Sequence, residues 1–541
     1  MGLTTRYPEL EFLMNITPRK NLESLKWPEF TANVGDVEVL YVFGCSPKID
    51  ILLRWLEEDV NRDVVFIEDD LSVISQMKVE KKDEIFAHEQ IHLRVFLPES
   101  DIELFAEDLA NAFPYKRIAF SNLKKNQETF ELLKMHLLRK SVVTDAVANE
   151  MLFYHKLFYN LRKNLARLPQ SFDMGKWKGA FKDVPAILCG AGPSLATMQD
   201  KIINCKNKAL VLAGGSTITA LNALGITPDL AFAVDPNDEE FTRLMFHTSY
   251  DTPLIYALRV NPEIFHSHAG PLGYFSTGTG GSIEKWIEKE IRIEDAKILE
   301  GLSEEAMSVT SVALMTAVYL GCNPIVLAGI DLAYDRGKRY APGVITDLQC
   351  SLEEKLSDAS QMPQQKNGKE TATKWIMESD VLSKVAGQFP NTTFIDGTGE
   401  GIGFETITCE KEFDKKWSKT FDFKSTIHEL VIKTPLDCPL NVINEKLQEF
   451  QQSMKRSLIL VETILVELEK GQLDTPKLIV LEMDLEEELS YKIALKSAIF
   501  AWTFPIQKEH RPMSDLKNLL RIKIRLYAKI KSIIKDYISY E

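Results

Sequence analysis

Short apolar runs bounded by glycine, proline, asparagine and aspartate alternate with stretches of helical spacing through much of the chain. Near Val37 the segments VEVLYVFGCSP, IDILLRWLEEDV and DVVFIEDD read as strand, turn, helix and strand, ending in Glu68, Asp69 and Asp70. The alternation resumes from about Asp183 to Cys409. Ala186 to Cys189, Ala209 to Leu212, Leu230 to Val234, Leu254 to Ala257, Ile325 to Ala328 and Thr393 to Ile395 are its strand candidates. Their unbroken apolar character fits parallel strands buried on both faces. Between about Asn122 and Arg167 the period is helical (Phe130, Leu133, Met135, Leu138, then Met151, Leu152, Tyr154, Leu157, Leu161), which predicts long helices joining two α/β units. From about Phe421 amphipathic helices take over. The expected fold is therefore α/β, with a Rossmann-like parallel sheet core, a smaller N-terminal α/β domain and a C-terminal helical domain. The expected boundaries are 1–115 for the N-terminal domain, 116–180 for a helical linker, 181–410 for the central domain and 411–541 for the helical domain.

The run VPAILCGAGPSL, Val184 to Leu195, reads as a central strand entering a helix through a tight turn. Gly190 and Gly192 let another group approach the backbone, and Pro193 and Ser194 open a helix whose first amides suit a phosphate. A plain packing turn between strand and helix is the alternative. A dinucleotide fingerprint is disfavoured, because its third small residue is Leu195 and the next strand ends in Gly214, Gly215 and Ser216 rather than an acid. No GxxxxGK[ST] follows a strand, which disfavours a Walker-type ATPase. In the first unit Cys45, Ser46 and Pro47 make a poor glycine loop, so Glu68 to Asp70 are assigned a structural role. Polar groups follow several strands of the central unit: Ser194, then Ser216 and Thr217, then Asp235, Pro236 and Asn237, then Asp331. Ligands in parallel sheets gather outside the carboxyl ends of strands, so these groups are expected to converge on one crevice.

Charge and cysteine usage narrow the partners. A net charge of -14 over 541 residues argues against a nucleic-acid binder, since phosphate neutralisation needs clustered lysine and arginine in surplus. Seven scattered cysteines without CxxC spacing read as reduced thiols, and the expected location is cytoplasmic. The start, MGLTTRYPELEF, reads as neither a signal peptide nor a myristoylation site. The most apolar run, Val309 to Ile330, is broken by Gly321, Cys322, Asn323 and Pro324, so a helix, a turn and a buried strand are expected rather than stable membrane insertion.

GAGPSL (190 to 195), NALGITPDLAFAVDPN (222 to 237), SVTSVALMTAVYLGCNPIVLAGIDLAY (308 to 334) and IDGTGEGIGF (395 to 404) together resemble the core of the motility-associated-factor (Maf) flagellin glycosyltransferases, with their MptE-like core domain. The same segments are similar to small bacterial sialyltransferases that use CMP-sialic acid. The resemblance implies a sialyltransferase-like core that moves a nonulosonic acid of pseudaminic, legionaminic or sialic type from a CMP donor to Ser or Thr of a protein such as flagellin. It implies donor binding by Gly190, Gly192, Pro193, Ser194, Ser216, Asp235, Asn237, Thr310, Ser311, Gly329 and Asp331. Asn237 would meet the base or ribose, Thr310 and Ser311 the ribose or the sugar carboxylate, and Tyr340 the departing phosphate. Tyr334 matches a second tyrosine when a one-residue insertion is allowed. Loss of CMP builds negative charge on the phosphate, which phenol donors at Tyr340 and Tyr334 would lower in energy. No cofactor is then required, no metal ligand is assigned, and a divalent metal is optional. The acceptor protein is expected to be reached through the flanking domains.

The departures from the pattern are specific. Ala191 and Gly215 stand where the sialyltransferases carry nucleotide-binding asparagines, Ile330 replaces the glutamine usual in Maf proteins, and Tyr340 stands where histidine often precedes alanine. No histidine lies between His268 and His428 to serve as general base, which leaves His266, His268 and Glu378 as unassigned candidates. Two other readings stand beside the transferase. One is a 6-hydroxymethylpterin diphosphokinase, because the core also resembles archaeal enzymes of that activity. The other is a non-catalytic nucleotide- or sugar-binding protein.

Overall fold

The computed structural model describes residues 3–16, 26–30, 34–97, 99–124, 128–244, 251–276, 281–293, 308–344, 358–509 and 515–540. Among them, two parallel sheets carry the architecture. The first holds β1 (Val39–Phe43), β2 (Asp63–Glu68), β3 (Ile91–Val95) and β4 (Ile118–Asn122) in the order β3-β2-β1-β4. β1 and β2 are buried at every residue, which explains why both read as unbroken apolar runs. The boundary expected at 115/116 needs correction: β4 lies beyond it and pairs with β1, so the first unit extends through Asn122.

The second sheet contains β5 (Ser171–Asp173), β6 (Ala186–Cys189), β7 (Leu210–Gly214), β8 (Leu230–Ala233), β9 (Leu254–Tyr256), β10 (Leu272–Tyr274), β11 (Ile325–Ala328), β14 (Phe394–Asp396) and β15 (Thr408–Cys409). Their order is β15-β14-β11-β6-β7-β8-β9-β10-β5, and every pairing is parallel. The six strands expected from the sequence are β6, β7, β8, β9, β11 and β14. β5 falls in the expected linker, which corrects that boundary too, because Ser171–Asp173 closes the far edge of the central sheet. A polar hairpin, β12 (Pro363–Lys366) with β13 (Lys369–Ala372), stands apart from the sheet. From β6 the chain steps outward to β10 and then returns beside β6 as β11. The direction of winding therefore reverses between β6 and β11, the topological switch point of the sheet.

The expected long helices are one helix of 38 residues, Glu128–Leu165. Phe130, Leu133, Leu137 and Leu138 at its start belong to the core of the first unit, while Phe158, Leu161 and Leu165 at its end belong to the core of the second. The C-terminal helices share that second core, which also holds Ile187 of β6 and Met454: Phe450 from Leu440–Leu468 and Tyr537 from Leu516–Ser539 both pack on Phe158. The helix Phe423–Lys433 covers the other face, where Phe423 packs on Phe181 and Ile427 belongs to the same core. The apolar run 309–330 forms the helix Val309–Tyr319, a turn and β11, and no helix among the described residues is long and apolar enough to cross a membrane.

Candidate active site

Four neighbouring strands, β11, β6, β7 and β8, deliver their loops to one edge of the sheet, with about 4.8 Å between adjacent strands. Gly190, Gly192, Pro193 and Ser194 leave β6, Ser216 follows β7, Asp235 and Asn237 follow β8, and Gly329 and Asp331 follow β11. The sequence-predicted groups thus emerge side by side.

At the switch point the close approach that the glycines permit is made by the chain itself. A Cβ on Gly192 would stand 2.6 Å from Asp331 Oδ2 and 2.6 Å from the Gly329 carbonyl, and one on Gly190 would meet Ile330 Cγ1 at 2.6 Å. The Ser194 N–H donates to Asp331 Oδ2 at 2.8 Å, and its hydroxyl donates to Asp331 Oδ1 at 2.5 Å. The anion held by this turn is therefore an internal carboxylate. The turn also continues as a 3-10 segment, Pro193–Met198, before the six-residue helix Gln199–Asn204, in place of the regular helix expected. Asp331 is 5% exposed. Burial raises its pKa, the two bonds from Ser194 pull it back, and Asp396 and Glu400 push it up again. Gly329, at φ +67°, donates its N–H to the Thr398 hydroxyl and so ties β11 to the loop after β14.

Beyond Asp331 the chain crosses this edge as a strap. Tyr334 N–H donates to the Glu370 carbonyl of β13 at 2.9 Å, Ala341 N–H donates to the Ala191 carbonyl at 2.8 Å, and Gly343 passes against Ala223 of the helix Ser216–Ala223. Tyr340 is thereby fixed one residue from a bond to the GAGPS turn. Tyr334 packs on Trp375, with ring centroids 4.7 Å apart, and burial raises its phenol pKa while Arg339 lowers it.

Thr310 and Ser311 open the helix Val309–Tyr319, whose Val309 packs over Gly214 at the end of β7. Their environments differ. Thr310 is half-buried, whereas Ser311 is fully buried and closes a capping box with Ser308, donating to the Ser308 carbonyl and accepting from its N–H. The Ser308 hydroxyl donates to Glu378 Oε1 at 2.5 Å. Burial raises the Glu378 pKa, and the bond from Ser308 and the charge of Lys374 lower it. Trp375 and Glu378, three apart on one helix face, thus reach the strap and the start of the helix Val309–Tyr319 respectively. His266 is exposed, with its Nδ1 within hydrogen-bond distance of Glu263 Oε2 at 2.9 Å; His268 lies after β9 with a buried ring nitrogen. The loops after β8 and β9 are held from behind by the long helix, where Asn160 donates to the Pro236 and Arg259 carbonyls and Asn164 to those of Leu258 and Val260. No group of three or more metal-ligating side chains is present among the described residues.

Arg339, Trp375, Asn160 and Asn164 carry no motif, and sequence reasoning passed over them. The one available signal was position: Arg339 directly precedes Tyr340 in a segment rich in glycine and charge.

Comparison with known proteins agrees with this picture. Residues 159–337 match the family model for 6-hydroxymethylpterin diphosphokinase MptE-like proteins. The structure of a Maf glycosyltransferase from Magnetospirillum magneticum AMB-1 shares the fold with a TM-score of 0.52 and 13% identity, covering 100% of this chain and 84% of that one. No curated protein gives a significant sequence match. The chain is thus a parallel α/β protein whose central region matches the MptE-like family model, and its fold is similar to that of a Maf glycosyltransferase.

Proposed function

We propose that the chain is a glycosyltransferase that moves a nonulosonic acid from a CMP donor to a serine or threonine hydroxyl of a protein. The observation that carries this reading is the strap: it pins a tyrosine beside the GAGPS turn at the switch point of the sheet, in a chain whose fold is that of a Maf glycosyltransferase. In this reading Tyr340 and Tyr334 donate to the departing phosphate, which needs no metal. Ser216, Asp235, Asn237 and Thr310 line the donor's side, and Gly190, Gly192, Pro193, Ser194, Ser311, Gly329 and Asp331 hold the loops that present them. Glu378 is the general base in this reading, because it accepts from Ser308 at the cap of the helix that carries Thr310 and burial raises its pKa above the usual carboxylate range. A flagellin-like acceptor would dock through the flanking N-terminal and helical units.

The test is turnover of a CMP-activated nonulosonic acid by the full chain, read as CMP release and as mass gain on a protein acceptor. Tyr340→Phe should lower kcat by about 10- to 100-fold with little change in donor affinity, if the hydroxyl acts mainly in the transition state. Equal turnover in that variant removes its role. The family match favours one second reading, pterin diphosphorylation, which predicts magnesium-dependent transfer of a diphosphate from ATP to the hydroxyl of 6-hydroxymethylpterin, with AMP leaving from ATP, and no stabilisation by CMP.

A further inference from the structure

An anionic donor entering this edge meets charge of its own sign. Asp331 follows β11 and Asp396 ends β14, both carboxylates acting at one edge, with Glu400, itself paired with Lys411, also near Asp331. The Ser194 amide, which would otherwise meet a phosphate, already donates to Asp331. The whole chain carries -14. A donor with a phosphate and a carboxylate therefore needs a cation on the strap side of the edge, and Arg339 stands there. Its guanidinium lies 4.7 Å from the centroid of the Tyr340 ring and 5.6 Å from that of Trp375. Trp375 in turn packs on Tyr334. Aromatic contact engages the faces of a guanidinium and fixes its plane, while the forked N–H edge is the part that pairs with two oxygens of a phosphate or carboxylate. The Ala341 to Ala191 bond, two residues on, sets the height of this edge above the GAGPS turn.

We infer that Arg339 binds the anionic group of the sugar donor, either the nucleotide phosphate or the sugar carboxylate, with Tyr340 and Trp375 as the stack that orients it. This rests on the transferase reading and adds its charge-recognising residue. A lysine would supply charge but neither the fork nor the stack.

Titration calorimetry on the full chain tests it with three ligands, CMP, cytidine and free N-acetylneuraminate, against wild type, Arg339→Ala and Arg339→Lys. A loss of about 10- to 100-fold in CMP affinity for R339A, with cytidine binding unchanged, supports the assignment and identifies the phosphate as the partner. The same loss for N-acetylneuraminate, with CMP unchanged, supports it and identifies the carboxylate. Should R339A fail to fold, R339K decides: weaker binding of CMP or N-acetylneuraminate supports the role, and wild-type affinity for both overturns it. If wild type binds CMP while R339A binds both ligands equally well, the arginine's role is overturned and the transferase reading stands. If wild type binds neither ligand, both fall.

Discussion

Ser194 and Asp331 satisfy each other across 137 positions of sequence, and the consequence is a measurable pH dependence. Burial raises the Asp331 pKa above that of an unfolded aspartate, so the folded chain binds the extra proton. Stability from this group therefore falls as pH rises from the ordinary carboxylate range to the raised value, and is flat above it. The two bonds from Ser194 favour the charged form and narrow that window. Ser194→Ala removes the hydroxyl bond and leaves Asp331 Oδ1 buried without it, at a cost of about 1–3 kcal/mol. Because the lost bond favoured the ionised carboxylate, the deficit should be larger at pH 8 than at pH 4.5. Urea denaturation of ligand-free protein at both pH values checks this. An equal deficit at both would show that Asp331 does not change protonation state across the range.

At the scale of elements, the helix Val309–Tyr319 joins stability to chemistry through its cap. Ser308 accepts from the Ser311 N–H and donates to Glu378. Ser308→Ala should cost about 1 kcal/mol as a lost cap. It should also raise the Glu378 pKa further, since a bond favouring the carboxylate is gone. If Glu378 is the base, the acid limb of the kcat/KM profile moves to higher pH in S308A; an unmoved limb with the same stability loss would reduce Ser308 to a cap and remove Glu378 from the reaction. The elements also show what the sequence disclosed. β6, β7, β8, β9, β11 and β14 were legible because both of their faces are buried, so each is an apolar run between turn residues. β5 and β10, SFD and LGY, have serine, aspartate or glycine among their three residues and so do not read as apolar runs, and the β12–β13 hairpin, PQQK and KETA, has no apolar face to announce it. The candidate site was legible as loops after strands. The pairing inside it was not, because whether Ser194 faces a ligand or Asp331 is settled by a contact no local pattern encodes.

On the scale of the whole molecule, the three expected domains are held as one body by elements that enter two cores. The helix Glu128–Leu165, about 57 Å long at 1.5 Å per residue, starts in one core and ends in another. A second link runs back from the C-terminal helices. Lys508, 6% exposed, lies 3.8 Å from the Tyr115 ring centroid and 5.6 Å from that of Phe504, and its ammonium donates to the Asn61 carbonyl at 2.6 Å. Tyr115 in turn donates to the fully buried Asp63 at the start of β2, which also pairs with His92. The lysine thus inserts a desolvated cation into the aromatic edge of the first sheet, an arrangement worth about 2 kcal/mol. Lys508→Met keeps most of the apolar stem and removes the charge, so it tests the charge separately from the packing. If this contact couples the C-terminal helices to the first unit, calorimetric unfolding of the variant should split, with the first unit melting earlier and β1 to β4 exchanging their amides faster while the central sheet keeps its protection. A single transition at the wild-type temperature would mean that this contact does not couple the C-terminal helices to the first unit.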